Sequence, residues 1–290
     1  MLSLLLPLML MQVGPTPGLG TSSPVPDELY EQRRRTRERE REAEASPPAR
    51  PARRADPCFE AARIAPGDTV EMAEDRLAAA SGSDRAVAAE CLGLALAELE
   101  RWTEAETAFL TARDAVPGGE AARRAELTVA AAIAAEAVGD FTRALGHFET
   151  AHGDARAAGD AALVGRIARD MAHPLHRLGQ SGRAAQALAN ARAALPDDAA
   201  SWLISARLSR QQERLVEAQQ QIERAALLAP RNPEVGLEAG VIAVLADNEV
   251  AARRSWEAVV AMAPDSAVAA TARQYLDQLG PAAAQAAPGR

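Results

Sequence analysis

Three prolines at a constant interval constrain the fold of this chain more than any other feature. Pro196, Pro230 and Pro264 lie 34 residues apart, and each follows an Ala-rich stretch whose apolar residues recur at helical spacing. Proline ends a helix because it lacks a backbone N–H group and its ring clashes with the preceding turn. A fixed interval of this length is typical of helical hairpins that stack into a solenoid. The sequence therefore predicts an all-α fold made of repeated hairpins.

The composition supports helices and excludes several classes of protein. Hydrophobic residues make up 48% of the 290 residues and aromatic residues only 3%, and most of the surplus is Ala, which loses no side-chain entropy in a helix. The 32 basic residues are all Arg, and the net charge is −8. Binding to nucleic acid, which relies on excess positive charge, is therefore not expected. The one long apolar run, residues 2–13, is shorter than the roughly 20 residues that a membrane-spanning helix needs.

A recurring order of small, large and proline residues connects this chain to a known family. In the second helix of each hairpin, a small residue is followed four positions later by a large residue and then by proline. The matches are Ala105/Phe109/Pro117, Ala184/Leu188/Pro196, Ala218/Ile222/Pro230 and Ala252/Trp256/Pro264, while Ala144/Phe148 lacks only the proline. The first helices match at Leu92-Gly93, at Trp202 with Ala206, and at Gly240. On these residues the chain resembles the tetratricopeptide repeat (TPR) family, whose units have 34 residues.

The resemblance implies an α-solenoid of about five units, each with a helix A and a helix B. The expected units are 86–119, 125–158, 165–198, 199–232 and 233–266. The ends of such a stack need capping helices. We expect them at Asp68–Ala80, with Asp68 as the N-cap residue, and at Ala267–Leu279, so that the solenoid spans residues 58–280.

The two ends of the chain have a different character from the repeats. Residues 1–20 are predicted to be a secretory signal, because an apolar run is followed by the small residues Gly18 and Gly20, although no charge precedes the run. Residues 21–57 are predicted to be a solvated charged segment and a Pro-rich linker, and residues 281–290 a disordered tail. Export would place the chain in a bacterial periplasm. The alternative is that residues 1–13 remain as a membrane anchor.

Cys58 and Cys91 are the only cysteines of the chain. In an exported protein we expect them to form a disulfide that joins the N-terminal cap to the first unit. On the chain-entropy model, a disulfide that closes a loop of this length stabilises the folded chain by roughly 4 kcal/mol. The alternative is two unlinked thiols, one of which packs in a helix interface.

The family resemblance also points to a partner-binding surface. In TPR proteins, partners usually lie along the concave face formed by the A helices. The corresponding positions of the third and fourth units, which we call the cationic section, are Arg166, Arg169, His173, His176, Arg177, Arg207 and Arg210. In the first two units they include Glu90, Glu98, Glu126 and Glu136. We expect the cationic section to bind an acidic peptide segment or a chain terminus, because guanidinium groups pair with carboxylates through two hydrogen bonds. The alternative is a solvated face that nearby Glu residues neutralise.

Neither a metal site nor an active site is expected. His173 and His176 have a spacing that can hold a metal, but the sequence provides no third ligand. Pro174 between them should kink or break helix A of the third unit. The motifs of nucleophilic hydrolases, phosphate-binding loops and dinucleotide-binding folds are missing from the sequence, and we expect no cofactor.

The sequence thus predicts a non-enzymatic scaffold that binds a protein or peptide in its groove, in envelope biogenesis or secretion. One alternative is a cytosolic or membrane-tethered TPR regulator of a protein complex. Another is an accessory protein that holds a small ligand or glycan in the groove. TPR proteins that clamp chaperone tails use Lys and Asn, and this chain has no Lys, so that partner class is not expected.

Overall fold

A computed structural model describes residues 56–280, and all their regular secondary structure is helical. The predicted signal at 1–20, the charged segment up to residue 55 and the tail at 281–290 lie outside the described residues. The helices are α1 (Pro57–Ile64), α2 (Pro66–Ala79), α3 (Gly82–Glu98), α4 (Trp102–Asp114), α5 (Ala121–Ala137), α6 (Phe141–Ala157), α7 (Ala161–Asp170), α8 (Ala172–Arg177), α9 (Ser181–Ala194), α10 (Ala199–Gln211), α11 (Leu215–Leu228), α12 (Pro233–Leu245), α13 (Glu249–Met262) and α14 (Ala267–Leu279).

The helices stack in chain order. Each helix packs against the next one along the sequence, and α10 and α12 also contact each other across the hairpin boundary. This sequential pattern of contacts confirms the predicted all-α solenoid. The helix A of each successive unit is α3, α5, α7 with α8, α10 and α12, and we call these helices the helix A row.

The core combines many buried Ala residues with Leu, Ile, Val and a few aromatic side chains. A Cβ atom added to Gly93 would lie 2.6 Å from Cε1 of Phe109, and one added to Gly240 would overlap the ring of Trp256. Both rings are buried, and Phe109 also belongs to a cluster that includes Ala131 of the next unit. Small residues therefore let the helices approach closely, as the repeat pattern predicts, and the scarcity of aromatic residues does not prevent a continuous core.

The N-terminal cap differs from the prediction. Helix α2 begins at Pro66, and Asp68 lies in its first turn, so the predicted N-cap role of Asp68 is wrong. The physical reason is that proline, with its fixed φ and no N–H to satisfy, is well suited to the first helical position. A separate helix, α1, precedes α2, and its N-cap residue Asp56 accepts a hydrogen bond from the Cys58 N–H and pairs with Arg76 at 2.9 Å.

A disulfide joins α1 to the first unit. Cys58 on α1 and Cys91 on α3 are bonded, with their Cα atoms 6.0 Å apart, and both side chains are buried. At the other end, α14 covers α13, and the ring centroids of Trp256 and Tyr275 lie 5.1 Å apart. Both ends of the stack are therefore covered by additional helices.

One residue with a positive φ lies in the turn between helix A and helix B of every unit. These residues are Glu100, Gly139, Gly179, Glu213 and Asp247, with φ between 57° and 80°. This backbone conformation recurs at the same place in every unit. It therefore provides a common reference position from which corresponding residues of the five A helices can be identified.

Helix A of the third unit is broken. Helix α7 ends at Asp170 and α8 begins at Ala172, two residues before the buried Pro174. Proline removes one backbone hydrogen bond and clashes with the carbonyl four residues earlier, which is that of Asp170. The predicted effect of Pro174 is thus seen as an interruption at Met171, whose φ and ψ remain helical.

Within residues 56–280, no helix combines the length and the apolar character that spanning a bilayer requires.

Candidate functional site

The structure places the whole cationic section on the helix A row. Arg166 and Arg169 lie on α7, three residues lie on α8, and Arg207 and Arg210 lie on α10. These helices follow one another in the stack, which brings the seven side chains to consecutive positions of one row. Within this section, the side chains differ in whether another residue of the chain already pairs with them.

Arg169 is paired with two carboxylates. Its guanidinium lies 2.9 Å from Asp170 and 3.2 Å from Asp198, the N-cap residue of α10. Burial raises the pKa of Asp198, but the hydrogen bonds from Ser201 and the charge of Arg169 outweigh it and lower this pKa overall. Arg169 therefore connects the third unit to the first turn of the fourth.

Arg207 and Arg210 pair with helix A of the fifth unit. Nε of Arg210 lies 2.5 Å from Oε1 of Glu238, and Nε of Arg207 lies 3.5 Å from Oε2 of the same residue. Arg207 also pairs with Glu234. Since the Glu238 side chain is only 7% exposed, its charge is largely neutralised inside the protein.

An aromatic ring anchors the end of α8. The Arg177 guanidinium carbon lies 4.4 Å from the ring centroid of Phe141, and the His173 ring meets the same ring edge-on at 5.5 Å. Nδ1 of His173 lies 3.1 Å from Oε1 of Glu136 on α5. Burial raises the pKa of Glu136, against the hydrogen bond and charge of His173, which lower it.

Two guanidinium groups of the section have no carboxylate of their own. Among the residues that the structure describes, Arg166 and Arg177 take part in no ion pair. His176 makes one weak contact, with Nδ1 at 3.4 Å from the Ser181 hydroxyl. Within the cationic section, the two guanidinium groups without a carboxylate partner therefore both lie on helix A of the third unit.

The surface of the first two units is not described by its glutamates alone. Glu90 pairs with Arg123 between α3 and α5, and both side chains are nearly buried. Leu94 and Ile133, which we call the apolar pair, are 36% and 50% exposed on the same two helices. Neither residue was expected from the pattern of charged residues, although both occupy the same family positions of helix A as the arginines.

The two histidines of the third unit lie in different surroundings. Within the described residues, no group of three or more His, Cys, Asp or Glu side chains lies close enough together to hold a metal ion. His173 contacts Glu136 and Phe141, whereas His176 faces Ser181. The two rings therefore have separate partners.

Comparison with known proteins identifies the arrangement of helices. No family model matches the sequence, and no curated protein is significantly similar to it. BtubC (BKLC) from P. vanneervenii matches with a TM-score of 0.58 and 14% identity over 81% of this chain and 98% of that one. MamA from Desulfovibrio magneticus RS-1 matches with a TM-score of 0.51 and 18% identity over 64% and 100% of the chains. PilF from Pseudomonas aeruginosa has a TM-score of 0.51 and 18% identity over 69% and 95%. At these identities the likeness shows the fold alone.

Proposed function

Because residues 56–280 have the tetratricopeptide repeat fold, that of a protein-interaction scaffold, we propose that the helix A row of this chain binds a polypeptide partner and that the chain is not an enzyme. The row presents side chains from five successive units along one face. A repeat solenoid buries its apolar surface against neighbouring units and leaves such a face for other molecules.

The observation that carries the proposal is the pair of unmatched guanidinium groups on the third unit. Arg166 and Arg177 lie near opposite ends of the broken helix A, and the structure gives neither a carboxylate. An arginine offers five N–H donors in a fixed planar arrangement that fits a carboxylate. An acidic segment of the partner can offer a carboxylate to each group, and a chain terminus can offer its carboxylate to one of them.

The remaining members of the cationic section support this contact. Arg169 and Arg207 keep 21% and 37% of their side chains exposed while they pair with acidic residues of this chain. Each guanidinium therefore retains donors that can reach a second acceptor. His173, His176 and Arg210 complete a surface of positive and hydrogen-bonding groups.

We propose further that the protein is exported and acts in bacterial envelope biogenesis or secretion. The buried Cys58–Cys91 disulfide supports export, because disulfides persist in oxidising compartments. Sequencing of the N-terminus of the mature chain tests this directly. Export predicts a chain that starts near residue 21 and contains no free thiol, whereas a chain that retains residues 1–13 argues for a tethered protein.

Peptide arrays test the binding proposal. The array carries acidic peptides and their amide counterparts, in which Gln and Asn replace Glu and Asp, and it is probed with the full chain. We expect preferential binding to the acidic set, and loss of that preference in the double variant Arg166→Gln/Arg177→Gln. Arg254→Gln is the control, because Arg254 is exposed on α13, outside the helix A row. Equal binding to both sets by the wild-type chain would refute the role of the cationic section.

A further inference from the structure

One position of helix A recurs in every unit, and these positions form a line along the helix A row; the first three are exposed and the last two half-buried. This position lies six residues before the residue with positive φ in each turn. Its occupants, from the first unit to the fifth, are Leu94, Ile133, His173, Arg207 and Val241. The chemistry changes along the line: the first two units present aliphatic side chains and the next two present cationic or hydrogen-bonding ones.

The first part of the line presents the apolar pair to solvent. Leu94 and Ile133 are core-type residues, yet they remain 36% and 50% exposed. An aliphatic side chain laid against them removes apolar surface from water on both molecules.

Positive charge follows the apolar pair along the row. Ile133 on α5 precedes His173 on α8 in the line, and Arg177, which has no carboxylate partner within residues 56–280, lies one helical turn after His173. We propose that one partner segment occupies both parts, with apolar side chains on Leu94 and Ile133 and a carboxylate on Arg177. This inference rests on the proposed function and specifies the chemistry of its partner.

The spacing of the helices determines the spacing of the partner's side chains. Contacting helices lie about 8–10 Å apart. The Glu90–Arg123 ion pair connects α3 to α5, so we take successive helices of the row to be about 10 Å apart. A polyproline II segment has three residues per turn and rises about 3.1 Å per residue, so every third side chain faces the same side at intervals of about 9 Å. The partner segment therefore has apolar residues at positions i and i+3 and an acidic residue at about i+6, in one chain direction or the other.

Selection from a phage library of random 12-residue peptides tests this pattern, with the immobilised full chain as bait. We expect the enriched peptides to contain two apolar residues three apart, followed or preceded after three further residues by Asp or Glu. Synthetic peptides from the selection are then measured by fluorescence polarisation. Replacing either the apolar pair of residues or the acidic residue in the peptide is expected to weaken binding at least tenfold.

Variants of the chain separate this inference from the proposed function. Leu94→Ser/Ile133→Ser should weaken binding of the enriched peptides at least tenfold. Val216→Ser/Val250→Ser is the matched control, because these valines are 77% and 64% exposed on α11 and α13, and it should leave binding unchanged. Circular dichroism confirms that each variant is folded.

Two results would overturn the inference in distinguishable ways. If the enriched peptides are acidic and their binding requires Arg177 but is unchanged by Leu94→Ser/Ile133→Ser, the proposal that one segment contacts both the apolar pair and Arg177 is wrong. The proposed function then stands. If no enriched peptide depends on Arg166, Arg177 or the apolar pair, both the inference and the binding surface are wrong.

Discussion

Single glycines set how closely the two helices of a hairpin approach each other. The Gly240 backbone lies against the ring of Trp256, whose Nε1–H donates a hydrogen bond to the Leu237 carbonyl at 3.1 Å. The ring is held in place by this bond and by its burial, so it cannot move away from a larger residue at position 240. Phe109 has the corresponding relation to Gly93.

Replacing Gly93 with Ala tests this packing. A Cβ atom at position 93 would lie 2.6 Å from the Phe109 ring, and such overpacking costs about 1–3 kcal/mol. We expect Gly93→Ala to lower the free energy of unfolding by about 1–2 kcal/mol, because better helix propensity recovers part of the loss. Gly146→Ala is the control, since a Cβ at this helical position meets nothing within 4 Å. Urea unfolding should show that Gly146→Ala is neutral or stabilising, and equal destabilisation of the two variants would contradict the account.

The Asp198 carboxylate makes stability depend on pH. Its pKa in the folded chain is lowered below the ordinary value of 3.8, because Ser201 and Arg169 together outweigh the effect of burial. Its contribution is therefore fully present above pH 3.8 and is lost as the pH falls through the lower folded pKa.

Asp198→Asn should consequently cost stability at pH 7 but progressively less below pH 4, since Asn still caps the helix without the charge. The expected loss at pH 7 is under about 1 kcal/mol, as for a partly exposed pair. Urea titrations of both chains across this pH range measure the difference, and a difference that grows on acidification would show that the assigned direction is wrong.

At the scale of elements, the turns between helices A and B store a small strain in three of the five units. Glu100, Glu213 and Asp247 adopt positive φ, whereas the other two turns use glycine. This conformation costs a residue with a Cβ atom roughly 1–2 kcal/mol, whereas glycine adopts it without that steric cost.

Exchange of residues between these turns should therefore have opposite effects. We expect Glu213→Gly to raise the free energy of unfolding by about 0.5–1 kcal/mol, and Gly179→Glu to lower it by about 1 kcal/mol. Thermal unfolding at pH 7 distinguishes the two. A destabilised Glu213→Gly chain would mean that the Glu213 side chain makes a contact that compensates for its backbone strain.

The disulfide should stabilise the N-terminal end of the stack. Closing the loop between Cys58 and Cys91 constrains the unfolded chain, and disulfides of this kind are typically worth about 2–4 kcal/mol. We expect Cys58→Ala/Cys91→Ala to lower the unfolding temperature. A reductant should lower it in the wild-type chain and leave the double variant unchanged, and a wild-type chain insensitive to reductant would argue against a stabilising role for the bond.

Helix ends show which local signals the sequence provides. Pro196, Pro230 and Pro264 follow helices α9, α11 and α13 as predicted, because proline acts on its own backbone and the preceding turn. The start of α2 was misplaced because Asp68 and Pro66 both signal a helix start, and only the geometry of the folded chain decides between them. Helix α1 precedes the repeats, so the period of the repeats could not predict it.

At the scale of the whole molecule, the repeat made the candidate site partly predictable. A fixed period assigns each residue of helix A to a face, so the seven members of the cationic section could be placed on the helix A row from the sequence. Their partners could not, because Asp198 caps the next helix A and Glu234 and Glu238 come from the following unit, so that their distances depend on how units stack. The concentration of unpaired charge on Arg166 and Arg177 is visible only in three dimensions.

The most direct test of the account is site-specific photo-cross-linking in cells that express the full chain. A photoreactive residue is placed at Ile133 or Arg177 on the helix A row, or at Val216 on α11 as the comparison site. If the helix A row binds the partner, the first two sites should capture the same polypeptide and the Val216 site should not. Capture at Val216 alone, or equal capture at all three sites, would show that the helix A row is not the surface that binds the partner.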